Sequence, residues 1–129
     1  MAIEENLYSY LTNDAAIAAL VGTRVYPLTA EQGASLPLLV YQRVSTPREV
    51  SQSGSSGLAH PRFQISCLAA SYGDAVALAN AVVAALNGYK GTFGAGSIQA
   101  SFVDTELDVY DFDTNRYRRI VDVIIWHAE

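Results

Sequence analysis

The chain has 129 residues, half of them hydrophobic, with eight basic and thirteen acidic side chains and a formal net charge of −5. A single domain of that length buries roughly two-thirds of the surface its unfolded chain exposes, so it needs no metal or disulfide staple. The acidic balance disfavours a polyphosphate partner, since neutralising phosphates is the main source of affinity for nucleic acid.

In chain order, the N-terminus MAIEENLYSY carries acids where a signal peptide needs basic residues ahead of an apolar run. No stretch reaches the roughly 18 uncharged apolar residues of a membrane span. A soluble protein not secreted by that route is the expectation. Ile3, Leu7 and Leu11 fall four apart on one helical face, and TNDAAIAALVG restarts a short helix with Thr12 and Asn13 as candidate caps and Gly22 as its stop. Both pieces read as one amphipathic N-terminal helical arm. Residues 21–44 then run through Pro27 and Pro37 with little charge. Pro27 forbids continued helix, and Leu36-Pro37 sets up an extended approach to the next strand. The stretch reads as structural punctuation, covered by its own domain or by a neighbouring subunit.

PLLVYQRVS alternates Leu38, Val40 and Val44 against Leu39, Tyr41 and Arg43, while RFQISCLAAS alternates Phe63, Ile65, Cys67 and Ala69 against Arg62, Gln64 and Ser66. These are two strands, each with one face for a core. Between them STPREVSQSGSSGLAHP is polar and rich in Ser and Gly, so residues 46–60 read as a long, mobile hairpin loop that orders against a neighbour. Ser71 to Asp74 match the Ser-x-x-acid capping box and open a helix. Its body places Ala75, Leu78, Val82 and Leu86 on one face, and it ends where Asn87 and Gly88 tolerate left-handed geometry. GYKGTFGAGS reads as a connector. GTFGAGSIQASFVDTELDVYD and RYRRIVDVIIWHA give two more strands with a turn at DFDTN. The expected fold is α+β, one domain over 1–129: an antiparallel or mixed sheet of at least four strands, an N-terminal helical arm, and one long helix packed on one face.

Candidate chemistry is thin. Asp111, Asp113 and Asn115 alternate as in a calcium loop, with Asp122 near its end, but Arg116 stands where glycine makes the sharp turn and a strand follows where a helix is required. An Asx-rich hairpin turn is the better reading. Lys90 with its glycines lacks the Gly-Lys-Ser/Thr order of a phosphate loop. His60 and His127 have no metal-spaced neighbour, and the serines of 51–56 sit in no nucleophile elbow. The lone Cys67 reads as a small buried strand residue and leaves the redox compartment open, a reducing cytosol being the easier reading. Arg116, Arg118 and Arg119 with Tyr117 form the one basic, aromatic-bearing patch, and the nearby Asp111, Asp113 and Asp122 favour cross-strand ion pairing there. No catalytic residue, cofactor or metal is expected, and the chain does not read as an enzyme.

The order LVGTRVYPLTAEQGASLPLLVYQRVS, SGLAHPRFQISCLAASYGDAVALANAVVAAL and DVYDFDTNRYRRIVDVIIWH, covering nearly the whole chain, resembles the small phage tail-completion or tail-terminator proteins. The resemblance implies a sheet-and-helix protein similar to the terminator of lambda-like long non-contractile tails. Such a protein assembles as a hexameric ring that caps the tail tube and joins it to the head; prophages and gene-transfer agents encode relatives. It implies as partners further copies of the chain, the tail tube protein and head–tail connector proteins, with DNA passing through unbound and no membrane. The location is the virion tail, assembled in the host cytoplasm. Under this expectation Arg48, Glu49, Ser51, Gln52, Ser53, Arg116 and Arg118 meet neighbouring subunits or the tube, while Glu106, Asp108, Asp111 and Asp113 line the channel. The alternative is a small ligand- or RNA-binding module on a ferredoxin-like sheet, centred on Arg116, Tyr117 and Arg118.

Overall fold

Helices α1 (Ile3–Asn13) and α2 (Ala15–Val21) form the expected N-terminal arm, burying Ile3, Leu7 and Leu11 from the first and Ile17 and Val21 from the second. The computed structural model describes residues 3–28, 35–45, 48–51, 54–93, 96–112 and 115–128. The cap between the helices is Asp14 rather than Thr12 or Asn13. Asp14 has extended backbone and its carboxylate accepts the Ile17 N–H at 3.1 Å. The Thr12 hydroxyl instead donates back to the Tyr8 carbonyl within α1. Gly22 ends α2 at a positive φ of 60°, which favours glycine.

Strand β1 (Val25–Pro27) runs parallel to β2 (Leu38–Ser45), with Val25 opposite Leu39. Within the punctuating stretch Val25 is buried, whereas Leu28 is exposed. The polar segment after β2 is not the expected loop. It carries β3 (Arg48–Ser51) and β4 (Gly54–Ala59), which pair antiparallel and prolong the hairpin of β2 and β5 (Arg62–Ala69). Serine and glycine lower strand propensity, but a ladder already nucleated by two apolar strands extends through them, because strand preference is set largely by context. The β4–β5 break falls at Pro61, which has no N–H to give; its carbonyl still accepts from Ile125 N–H at 3.0 Å. Across that break the register along β8 (Arg116–Ala128) is unchanged, Ala59 facing His127 and Arg62 facing Ile124.

Helix α3 (Tyr72–Leu86) starts as expected: the Ser71 hydroxyl accepts the Asp74 N–H at 3.2 Å. Gly88, just past its end, has φ 74°. The segment read as a connector instead forms β6 (Tyr89–Phe93), hairpinned to β7 (Gly96–Asp111), which pairs with β8. Among the described residues, eight strands make one mixed sheet in which β8 lies between β5 and β7. Its order and its one long helix differ from the βαββαβ pattern of a ferredoxin-like sheet.

All three helices cover one face. Leu39, Tyr41, Phe63, Ile65, Cys67, Val121, Val123 and Ile125 point toward them and pack with Leu7, Leu11, Ile17, Leu78, Val82 and Leu86 in one core. Each such large side chain contributes about 1.5–3 kcal/mol by leaving water. The end of α3 is tied down by polar contacts. Buried Ser101 donates its hydroxyl to the Leu86 carbonyl, Tyr10 OH donates to the Ala85 carbonyl at 2.6 Å, and Gly88 N–H donates to the Ser101 carbonyl at 2.8 Å. Carbonyls that a helix leaves without intrahelical partners are thereby satisfied. Burial pushes the Tyr10 phenol up to about 12 and the Cys67 thiol likewise up to about 12, which fits a packing residue rather than a nucleophile.

Candidate assembly surface

The core pattern stops partway along the β7–β8 hairpin. Val121, Val123 and Ile125 are fully buried, but from Arg119 back to Arg116 the same alternating face of β8 carries Arg119 and Tyr117 instead of aliphatic residues. Opposite them on β7 stand Asp108 and Tyr110, in register. This polar continuation of the core face is organised around Arg119. Its Nε donates to Asp108 Oδ1 at 2.7 Å and its Nη2 to Asp108 Oδ2 at 3.1 Å, a two-pronged contact that suits a planar guanidinium. Tyr72, the first residue of α3, donates its hydroxyl to Asp108 Oδ2 at 2.8 Å. Glu106 Oε1 lies 3.9 Å from Arg119 Nη1. The cluster fastens the start of the long helix to the outer half of the hairpin. Hydrogen bonds from Arg119, then from Tyr72, hold the Asp108 carboxyl below its ordinary range, and the bond to Asp108 raises the Arg119 guanidinium further. Aromatic contacts continue outward, Tyr110 against Tyr117 at 4.9 Å and Tyr110 edge-on to Phe112 at 4.8 Å.

The other face of the sheet is half open. Phe102, Leu107 and Val109 are 49%, 48% and 38% exposed, and Phe112 at the turn is 82% exposed. Trp126 carries His60 stacked on it at 4.1 Å, and Arg62 bridges Asp104 at 2.7 Å and Asp122 at 3.6 Å. Large apolar side chains left in water beside charges are the usual composition of a surface that meets another macromolecule.

Among the residues singled out from sequence, Arg118 lies on the face away from the helices, as its pairing with Leu68 requires, and Arg116 ends β8 opposite Asp111. Glu106 and Asp108 lie on the helix-side face and meet Arg119. Gln52, Ser53 and Asp113 lie outside the described residues, as do the side chains of Arg48, Glu49, Ser51 and Asp111. Cross-strand ion pairing of the basic patch is present with different partners: Arg119 takes Asp108, and Asp122 neighbours Arg62. The hairpin register dictates this, since a turn between Asp111 and Arg116 sets Asp108 directly against Arg119. Sequence reading passed over Tyr72, Arg119 and the apolar residues Phe102, Leu107, Val109 and Phe112. The signal was the acid–apolar alternation of DTELDVY, which continues after the aliphatic core pattern has ended. Among the described residues no three His, Cys, Asp or Glu side chains gather to hold a metal, and no helix is long and apolar enough to cross a membrane.

Comparison with known proteins gives the surface its context. No curated protein sequence gives a match. Among solved structures, a chain of "Virion of native gene transfer agent (GTA) particle" superposes with a TM-score of 0.82 at 24% identity, over 99% of this chain and 96% of that one. Likeness at that identity speaks to the fold, which the two chains share nearly end to end. Residues 5–128 match the family model described as Tail completion protein gp17. A match over almost the entire length leaves no separate part of the chain to account for: this protein belongs to the tail completion protein gp17 family, structural proteins of phage-like tails.

Proposed function

We propose that this chain is a ring-forming tail terminator: several copies, six by the family resemblance, cap the end of the tail tube and join it to the head. The observation that carries the proposal is the family match across residues 5–128. The open apolar face with Phe102, Leu107, Val109 and Phe112 supports it, because a subunit that works only when assembled must leave apolar surface for its neighbours. In this reading the chain is not an enzyme, and its partners are other copies, the tube protein and connector proteins of the head. The virion tail, built in the host cytoplasm, is its place of action.

Within that role Arg48, Glu49, Ser51, Gln52, Ser53, Arg116 and Arg118 meet neighbouring subunits or the tube. Glu106, Asp108, Asp111 and Asp113 face the path of the DNA. An acidic or neutral wall leaves DNA mobile, whereas a cationic wall retains phosphates. Arg119 offsets part of that charge at Asp108 and Glu106. The test is genetic and structural together: particles made without this chain should contain heads unattached to tails and tails of irregular length. Normal-length tails joined to full heads in its absence would refute the proposal.

A further inference from the structure

Two borders of the sheet lack a strand neighbour. On β7 the outer border is covered by β6 up to Ser101, and the Val103 N–H is taken by Asn87 Oδ1 at 3.2 Å. Among the described residues, no strand lies beyond β7 from Asp104 to Asp111. At the opposite limit of the sheet β1 covers β2 as far as Tyr41. Among the described residues, no strand covers the rest of β2, or β3, on that side. Such a border presents a row of backbone donors and acceptors, a template for pairing with another chain.

We propose that copies of this protein join head to tail through these two borders, residues 104–111 of β7 in one copy adding to the 42–51 border of β2 and β3 in the next. The inference rests on the ring reading above and names the contact that builds the ring. Charge selects the occupant. Asp104, Glu106, Asp108 and Asp111 all lie within the β7 border, so pairing two β7 strands from different copies sets acids against acids. Arg62 and Arg119 engage two of these acids but remain outnumbered by the four. Residues 42–51 carry Arg43 and Arg48 against Glu49, the opposite sign. Each border also exposes aliphatic surface, Leu107 and Val109 on one and Val44, 46% exposed, on the other. Both are guarded against indiscriminate pairing, β7 by its acids and β2 by the bulge between Arg43 and Ser45. Because the two borders differ, the contact is heterologous, and it closes into a ring when the rotation per copy divides the circle. Strand addition supplies main-chain hydrogen bonds, and the flanking side chains supply selectivity.

The test uses the full chain with cysteines placed on one or both borders: Gln42→Cys or Val44→Cys, and Leu107→Cys or Val109→Cys. Native Cys67 is buried and stays silent. Under mild oxidation, double variants with one cysteine on each border should give a ladder of disulfide-linked oligomers ending at the ring, while single variants should give none. Leu107→Lys with Val109→Lys should leave the monomer folded and abolish the oligomer. A linked dimer from Leu107→Cys alone would show β7 meeting β7 and overturn the inference. An intact oligomer without cross-links in any double variant would overturn it while leaving the ring reading standing. A chain that stays monomeric even on tube ends would overturn both.

Discussion

The two halves of the β7–β8 hairpin are the same pair of strands put to different ends. In the inner half, Val121, Val123, Ile125, Ile98 and Ser101 are buried beneath the helices, and stability comes from apolar burial plus one satisfied hydroxyl. In the outer half the same face carries Arg119, Asp108, Tyr117 and Tyr110, tied to the helix only through Tyr72, while the reverse face exposes Leu107 and Val109. An exposed hairpin stabilised by ion pairs and tyrosines contributes little to the fold of an isolated domain, since exposed pairs add at most about 1 kcal/mol. The length of the outer half therefore has its reason outside the chain, in assembly.

Substitutions should separate the halves. The largest effect belongs to the core beneath the inner half: Leu86→Ala should cost about 2–5 kcal/mol through lost transfer and a residual cavity, seen as a large fall in melting temperature or loss of soluble protein. Leu107→Ala is the matched substitution in the outer half. It should change stability by no more than about 0.5 kcal/mol while weakening self-association. A Leu86→Ala protein that melts within a degree of the parent would place Leu86 outside the core. Next comes Ser101→Ala, which deprives the Leu86 carbonyl of its donor and should cost about 1–3 kcal/mol in denaturant unfolding. A neutral result would mean that the α3 terminus is held by its other contacts alone.

The smallest effect is electrostatic and confined to the outer half. With its folded-state pKa lowered by Arg119 and Tyr72, Asp108 stabilises the fold above its unfolded pKa, near ~3.9. That contribution fades as pH falls through the lowered folded value. Carboxyl NMR should find Asp108 titrating below ordinary aspartates, and Arg119→Gln should move it back up. An Asp108 midpoint unmoved by that substitution would remove Arg119 as the cause.

Much of this architecture is legible in the amino-acid order. Ile3, Leu7 and Leu11, the Phe63–Ile65–Cys67 alternation, the Ser71 cap and the Leu78–Val82–Leu86 face all report burial within the chain, which periodicity encodes directly. Three features were hidden for physical reasons. Strands β3 and β4 are built from serine and glycine, and form because neighbouring strands extend through them rather than by propensity. Strand β6 is short and interrupted by glycine, so its pairing with β7 leaves no periodic trace. The Tyr72–Asp108–Arg119 cluster joins residues far apart in sequence, and its register follows only once the turn after Asp111 is placed. The surface that serves assembly is the least legible part, because what its exposed residues answer to is another molecule.

The most direct test is a cryo-electron microscopy reconstruction of tail ends from particles containing this chain. The account predicts a closed ring of copies encircling the tube axis at the head-proximal end, with residues 104–111 of each copy buried against its neighbour. Density for a single copy, or copies scattered along the tail with that segment facing solvent, would contradict it.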